Sequence, residues 1–322
     1  MCLTMLYSSE VQLLTTKTHW QRLSHPVLTR YQVQLWICSV DTAIPQVSGN
    51  KCLKLKYALA EVFLQQKSGV FTFGGAFSNH LSAVAASCKL LGLQSLAYVR
   101  GDSLDLNNPT LAFCAAQGMQ LKALDRSHYR QRHDSNFVRQ LQQQHPQLLS
   151  IPEGGTSAGG AKGVAELELA TTPEGAADLI VCASASGGTL AGIINRHTTP
   201  VLGIAVVKDN TLPAKIKQLL LPQCSARPWQ LSTDYTGAGY ARFDEGLLQF
   251  CRDMARHQLY VEPIYTGKAL AGLFSRIQSG QIAAGSRVSF LHTGGLQGLQ
   301  GLHYRGLITA TDLVLLSGST AG

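Results

Sequence analysis

Twice along the chain a run of apolar residues ends in glycines and passes directly into a helical pattern. The first is VFTF (70–73), followed by GGAF and an Ala-rich stretch opening at Ser78, Asn79 and His80. The second is LIVCA (179–183), followed by SASGGT and another helical pattern. A strand with no polar alternation has to be covered on both faces, and a parallel sheet with helices above and below does this. Further strands at 33–38, 96–100, 120–124, 201–207 and 287–291 alternate with helical patterns at 51–66, 109–117, 245–257 and from Tyr265 onward. Alternation at this spacing defines βαβ units and predicts an α/β protein of two doubly wound domains. Glycines at strand carboxyl ends then place a ligand in the interdomain cleft.

Length and composition narrow the function. A chain of 322 residues favours two domains, and 45% hydrophobic residues belong to an ordinary globular protein. No apolar run reaches the length of a membrane span, and the opening MCLTML has no basic region ahead of an apolar one, so a cytoplasmic protein is expected. Eight cysteines without a CxxC pair predict reduced, buried thiols with neither metal nor disulfide. The net charge of +8 owes much to RSHYRQRHDSNFVR (126–139). That run lacks interleaved aromatics and accompanies no finger or helix-turn-helix pattern, so it is expected to be a solvated helical face and not a nucleic-acid reader. A basic surface would still favour anionic small molecules.

Chemistry concentrates in SGNKCLKLKY (48–57), where a small-residue turn delivers Lys51 and then Lys54 at the onset of a helix. Near the free N–H groups of a first turn, both amines suit a phosphate-bearing ligand, and a lysine there has a lowered pKa. Lys51 could form a Schiff base with an aldehyde cofactor while Lys54 neutralises its phosphate; the alternative is a basic, solvated first turn. The loop Ser186, Gly187, Gly188 and Thr189 lies between a strand and a helix, as a phosphate cradle would or as a structural tight turn would. It has no P-loop lysine and is not GxGxxG, which favours a monophosphate over a nucleotide. Ser78 can cap its helix or help hold a carboxylate, and Asn79 can donate to a phenolate oxygen. His80 reads either as part of that substrate-side triplet or as a packed core histidine. No Ser/His/Asp order and no acidic dyad compete with lysine chemistry.

In order and spacing, GNKxxKLKY, TFGGAFSNH, NPT with GM after it, IPEGGT, SGGTLAG, GAGY, YTGKALAGL and FLHTGG resemble the D-cysteine desulfhydrase / 1-aminocyclopropane-1-carboxylate deaminase family. The resemblance runs from about residue 45 to near the end. It implies the tryptophan synthase β-like, fold-type II architecture, with a small α/β domain at 48–159 set into a large cofactor-binding domain made of 1–47 and 160–322. It also implies a homodimer using pyridoxal 5'-phosphate on a small amino acid. On this resemblance Lys51 is the Schiff-base lysine that moves the Cα proton, and Lys54 with Ser186, Gly187, Gly188 and Thr189 forms the phosphate cup. Asn79 bonds the ring hydroxyl, Ser78 lies beside the substrate carboxylate, and Tyr240 and Tyr265 are the active-site tyrosines. Thr266 stands where the deaminases carry glutamate, and Thr293 is a further neighbour of the ring nitrogen. A hydroxyl supplies no charge to a pyridinium, so β-elimination of a good leaving group is expected, with D-cysteine first. The alternatives are 1-aminocyclopropane-1-carboxylate deamination and a cofactor-binding protein without turnover. The chain departs from the family at ICSVD (37–41), Ser48 and Leu53.

Overall fold

The structure, a computed structural model, describes residues 16–42, 47, 49–237 and 242–319. Among these the strands are β1 (Lys17–Arg22), β2 (Gln34–Asp41), β3 (Gly69–Gly75), β4 (Gln94–Arg100), β5 (Gln120–Leu124), β6 (Leu148–Ile151), β7 (Thr171–Thr172), β8 (Gly175–Ala176), β9 (Leu179–Ser184), β10 (Val201–Ala205), β11 (Trp229–Ser232) and β12 (Arg287–His292). The helices are α1 (Pro26–Arg30), α2 (Asn50–Leu64), α3 (Asn79–Leu90), α4 (Pro109–Ala116), α5 (Arg126–Arg130), α6 (Ser135–Gln144), α7 (Ala158–Val164), α8 (Gly188–Arg196), α9 (Leu212–Gln218), α10 (Glu245–Arg256), α11 (Thr266–Gln278), α12 (Gly298–Tyr304) and α13 (Ala310–Ser317).

The strands form a six-stranded sheet in the order β1-β2-β12-β9-β10-β11 and a four-stranded sheet in the order β5-β4-β3-β6, with β7 and β8 as a small ribbon. Every pairing in the two larger sheets is parallel except the edge pair of β1 with β2. This is the expected α/β architecture with two largely parallel sheets. Phe290 of β12 sits between Ile37 of β2 and Val181 of β9, so the strand just before Lys51 is drawn into a sheet otherwise built by the second half of the chain. The apolar runs behave as their composition requires: β9 is buried from Ile180 to Ser184 and β10 throughout.

One apolar cluster extends from Cys38 and Val40 of β2 through Leu55 and Leu59 of α2 and the alanines of α3 to Ile193 of α8. A second lies on the other face of the six-stranded sheet under α10, α11 and α13. On the four-stranded sheet, Phe71, Phe73, Tyr98 and Tyr129 form a third. Helix α7 crosses α2 closely enough that a Cβ on Gly163 would stand 1.9 Å from the carbonyl of Leu53. That contact braces the helix that carries both candidate lysines.

Three expectations are corrected. The helix expected over 51–66 ends at Leu64, and two residues later Gln66 takes φ 52°. The strand from 201 ends at Ala205, short of 207. The basic run 126–139 is not one solvated face: Asp125 and Asp134 cap two separate helices, α5 and α6, and Tyr129 turns into the core. Among the described residues, no helix is long and apolar enough to cross a membrane.

Candidate active site

The carboxyl ends of both parallel sheets open onto one cavity of about 550 Å³. Residues from the ends of β3, β4, β6, β9, β10 and β12 reach its wall, as the crevice rule for such sheets anticipates. Lys51 stands in the first turn of α2, and its Nζ donates to Asn50 Oδ1 at 3.0 Å. Asn50 in turn donates from Nδ2 to Thr189 Oγ1 at 2.8 Å, tying the lysine's neighbour to the Ser186–Thr189 loop. The residue before the helix has to be glycine. Gly49 has φ +86°, and a Cβ there would lie 2.4 Å from the Thr293 carbonyl oxygen. Burial brings the Lys51 pKa down to about 8, opposed by Cys52 and by the carboxylate of Glu262. The low value expected for Lys51 is present, and its main cause is loss of water.

Lys54 is 2% exposed and donates to Thr156 Oγ1 at 3.0 Å and Ser186 Oγ at 3.4 Å. Those hydroxyls bond each other at 2.6 Å. Burial, with Lys51 nearby, pushes the Lys54 pKa well down. Gly187 holds φ +86° ahead of α8, and a Cβ on Gly188 would come 3.2 Å from Lys54 Cε. An amine, two hydroxyls and a glycine turn at a helix start could hold a phosphate, and any side chain at Gly188 would narrow the space.

Ser78 accepts from the Leu81 N–H at 3.4 Å and so caps α3. Asn79 Nδ2 lies 3.2 Å from where a Cβ on Gly295 would stand, which sets its amide against the HTGG loop of the other sheet. His80 is both buried and on the cavity wall. The Thr72 hydroxyl donates to the Ile151 carbonyl at 2.7 Å, so His80 Nε2, 2.8 Å from that hydroxyl, is the donor between them. His80 Nδ1 is then a bare acceptor with no hydrogen-bond partner, and burial beside two lysines holds the ring neutral.

Tyr265 and Thr293 also line the cavity. Thr266 is fully buried, does not line the cavity, and turns its hydroxyl to the Gly294 carbonyl at 3.2 Å. Tyr240, with the rest of GAGY from Ala238 on, lies outside the described residues.

Several groups on or near the site carry no motif strong enough to have assigned them. Thr156 sits in IPEGGT but bonds both Lys54 Nζ and Ser186 Oγ. Glu262, 2% exposed, accepts the N–H groups of Ile264 at 2.6 Å, Tyr265 at 3.0 Å and Thr266 at 2.8 Å, and burial raises its pKa to about 7. Its signal was only an acid four residues before the helix start. Glu153 receives the Tyr129 hydroxyl and Arg132 Nε, both at 2.6 Å, and so anchors the Gly154–Thr156 turn to the basic run. Arg100, His133, Asp209 and Lys215 complete the charged part of the wall.

A family model described as pyridoxal-phosphate dependent enzyme matches residues 24–294. A protein of Pyrococcus horikoshii named putative 1-aminocyclopropane-1-carboxylate deaminase is 31% identical over 277 residues, 80% of this chain and 82% of that protein. D-cysteine desulfhydrase of Klebsiella pneumoniae is 28% identical over 84% of this chain and 89% of its own length. Among solved structures, an ACC deaminase homologue reaches a TM-score of 0.75 at 26% identity, covering 94% of this chain and 95% of its own. Serine racemase of Dictyostelium discoideum, at 15% identity over 86% of this chain and 93% of its own, has a TM-score of 0.56 and shares the fold.

Proposed function

The chain belongs to the pyridoxal-phosphate dependent enzymes, and from that premise we propose that it is a lyase that takes the Cα proton from a small amino acid and expels its β-substituent. The leading substrate is D-cysteine, giving pyruvate, sulfide and ammonia. The observation that carries this proposal is Lys51, an amine on the cavity wall brought down to about pH 8 by burial. An amine with that value is partly unprotonated at neutral pH, as it must be to hold an aldehyde and to accept a proton from carbon.

The residues present fit the cofactor. Lys54, Thr156, Ser186 and the backbone from Gly187 to Thr189 would hold the phosphate, in a cradle that has room because Gly188 has no side chain. Pyridoxal phosphate in that place supplies an electron sink for the pair left on Cα. Asn79, set between the start of α3 and Gly295, would donate to the ring hydroxyl. The turn ending in Ser78 and the positive end of α3 would bind the substrate carboxylate. Tyr265, on the cavity wall with its main chain pinned by Glu262, would exchange a proton with the leaving group. Thr266 takes the sequence position where the resembling deaminases carry glutamate, and its hydroxyl is turned to the Gly294 carbonyl, so it would lend no charge to a ring nitrogen. This favours elimination of a thiolate over opening of a cyclopropane ring.

The second candidate, deamination of 1-aminocyclopropane-1-carboxylate, is supported by the name of the Pyrococcus relative. Purified protein assayed in parallel on both substrates separates the two. Sulfide and pyruvate from D-cysteine support the first, and 2-oxobutyrate from the cyclopropane amino acid supports the second. Cofactor absorbance that neither substrate alters would indicate a binding protein without turnover. We propose also that the protein is a cytoplasmic homodimer divided near residues 48 and 159; sedimentation and limited proteolysis test the assembly and the division.

A further inference from the structure

The charges on the cavity wall leave one cation unmatched. Glu153 is taken by Arg132 and the Tyr129 hydroxyl, and Asp209 by Lys215 at 2.8 Å. Lys54 faces the phosphate cradle and Lys51 the aldehyde position. Burial holds His80 and His133 toward the neutral form. Arg100 remains: it is exposed on the cavity wall, and its guanidinium makes no hydrogen bond or ion pair with another described residue.

Its position is set by the sheet. Arg100 ends β4 directly beside Gly75 at the end of β3. Its Nη2 lies 4.0 Å from where a Cβ on Gly75 would stand, and the Gly75 carbonyl accepts the Ser78 N–H at 3.1 Å. The guanidinium therefore flanks the turn that presents Ser78 to the substrate. The Tyr129 ring, 5.9 Å from Arg100 Cζ, backs it. The substrate's α-carboxylate is served by the start of α3, so a second anionic group is what Arg100 is free to receive.

We propose that Arg100 is a specificity-determining residue for amino acids whose β-substituent is itself an anion, such as a sulfonate, a thiosulfonate or a phosphate ester. The proposal rests on the site being that of an amino-acid lyase. With S-sulfocysteine the Cα proton passes to Lys51. The Cβ–S bond breaks with its electron pair leaving on thiosulfate, and water completes pyruvate and ammonium with release of one proton. Arg100 both selects the anion and stabilises it as it departs.

The test compares the wild type with Arg100→Gln and Arg100→Lys on both enantiomers of cysteine and of S-sulfocysteine, with pyruvate as the readout. In parallel, aspartate and alanine are titrated against the absorbance of the bound cofactor. The wild type should prefer the anionic member of each pair. Arg100→Gln should lower the ratio of kcat/KM for S-sulfocysteine over cysteine by about 10- to 100-fold, mainly through KM, the range of a lost hydrogen bond between charged groups. Arg100→Lys should keep part of the preference. Equal losses on both substrates would place Arg100 on the α-carboxylate and overturn the proposal, as would an unchanged ratio. If the wild type releases no pyruvate from any of the four, the lyase assignment fails. The aspartate and alanine titrations then decide the anion preference separately: weaker aspartate binding alone in Arg100→Gln upholds it, and unaltered binding refutes it.

Discussion

Replacing Glu262 by glutamine should change how the protein's stability depends on pH, with little effect on its shape. The carboxylate is buried, has three main-chain N–H donors, and forms no ion pair among the described residues. Burial lifts its pKa from 4.5 to about 7. The folded-state value lies above the unfolded one, so between them the native state binds more protons and stability falls as pH rises. At about 1.36 kcal/mol per pH unit, that interval corresponds to about 3 kcal/mol, absent below pH 4.5 and fully developed above pH 7. Glutamine stays neutral throughout. Its amide can still accept on one oxygen but turns an NH₂ toward an N–H donor, a pH-independent loss of about 1–3 kcal/mol. Urea unfolding of both proteins, freed of cofactor, from pH 4 to 8.5 should therefore show the wild type ahead at pH 4 and its lead shrinking by about 3 kcal/mol as pH rises, to nothing or to a lead for the variant. Groups common to both proteins cancel in the difference. A gap independent of pH would refute the buried, unpaired carboxylate.

Other perturbations test other parts of the site. Lys54→Met should weaken cofactor retention in equilibrium dialysis by about 10- to 100-fold, as expected for hydrogen bonds from a charged group, while the fold persists by circular dichroism. Gly187→Ala forces φ +86° on a residue whose new Cβ would lie 2.9 Å from Ile216 Cγ1, and should destabilise by about 1–3 kcal/mol in thermal melts. Arg132→Ala and Glu153→Ala should be non-additive in a double-mutant cycle, with a coupling of about 0.5–3 kcal/mol, because each leaves the other's partner in the same part-buried network. The rate at which cofactor-free protein recaptures the aldehyde should climb with pH and level off above about 8, as Lys51 loses its proton. A flat profile would mean that Lys51 is not the attacking amine.

Much of the fold was legible because parallel strands buried on both faces are written as unbroken apolar runs, as in β3, β4 and β9. Edge strand β1 was not legible: KTHWQR is mostly exposed, and its pairing with β2 leaves little apolar signature. The site residues that carry a local pattern, Lys51, Lys54, Ser78, Asn79 and the 186–189 loop, do converge on one cavity. What local pattern cannot express is distance across the fold. Nothing in IPEGGT says that Thr156 will meet Lys54, and nothing in a basic run says that Tyr129 and Arg132 will fold inward to hold Glu153. The placement of Thr266 was hidden for a similar reason. Its hydroxyl direction depends on the Gly294 carbonyl, 28 residues further on and just past the end of β12.

Burial lowers the pKa of Lys51, Lys54 and Lys268 alike, so a depressed pKa does not by itself single out the amine that holds the cofactor. Hydride reduction of the purified holoenzyme, followed by proteolysis and mass mapping, reads the attachment directly. The cofactor mass should appear on the peptide carrying Lys51 and disappear in Lys51→Ala. A label on Lys54 or Lys268, or one that survives Lys51→Ala, would contradict the central assignment.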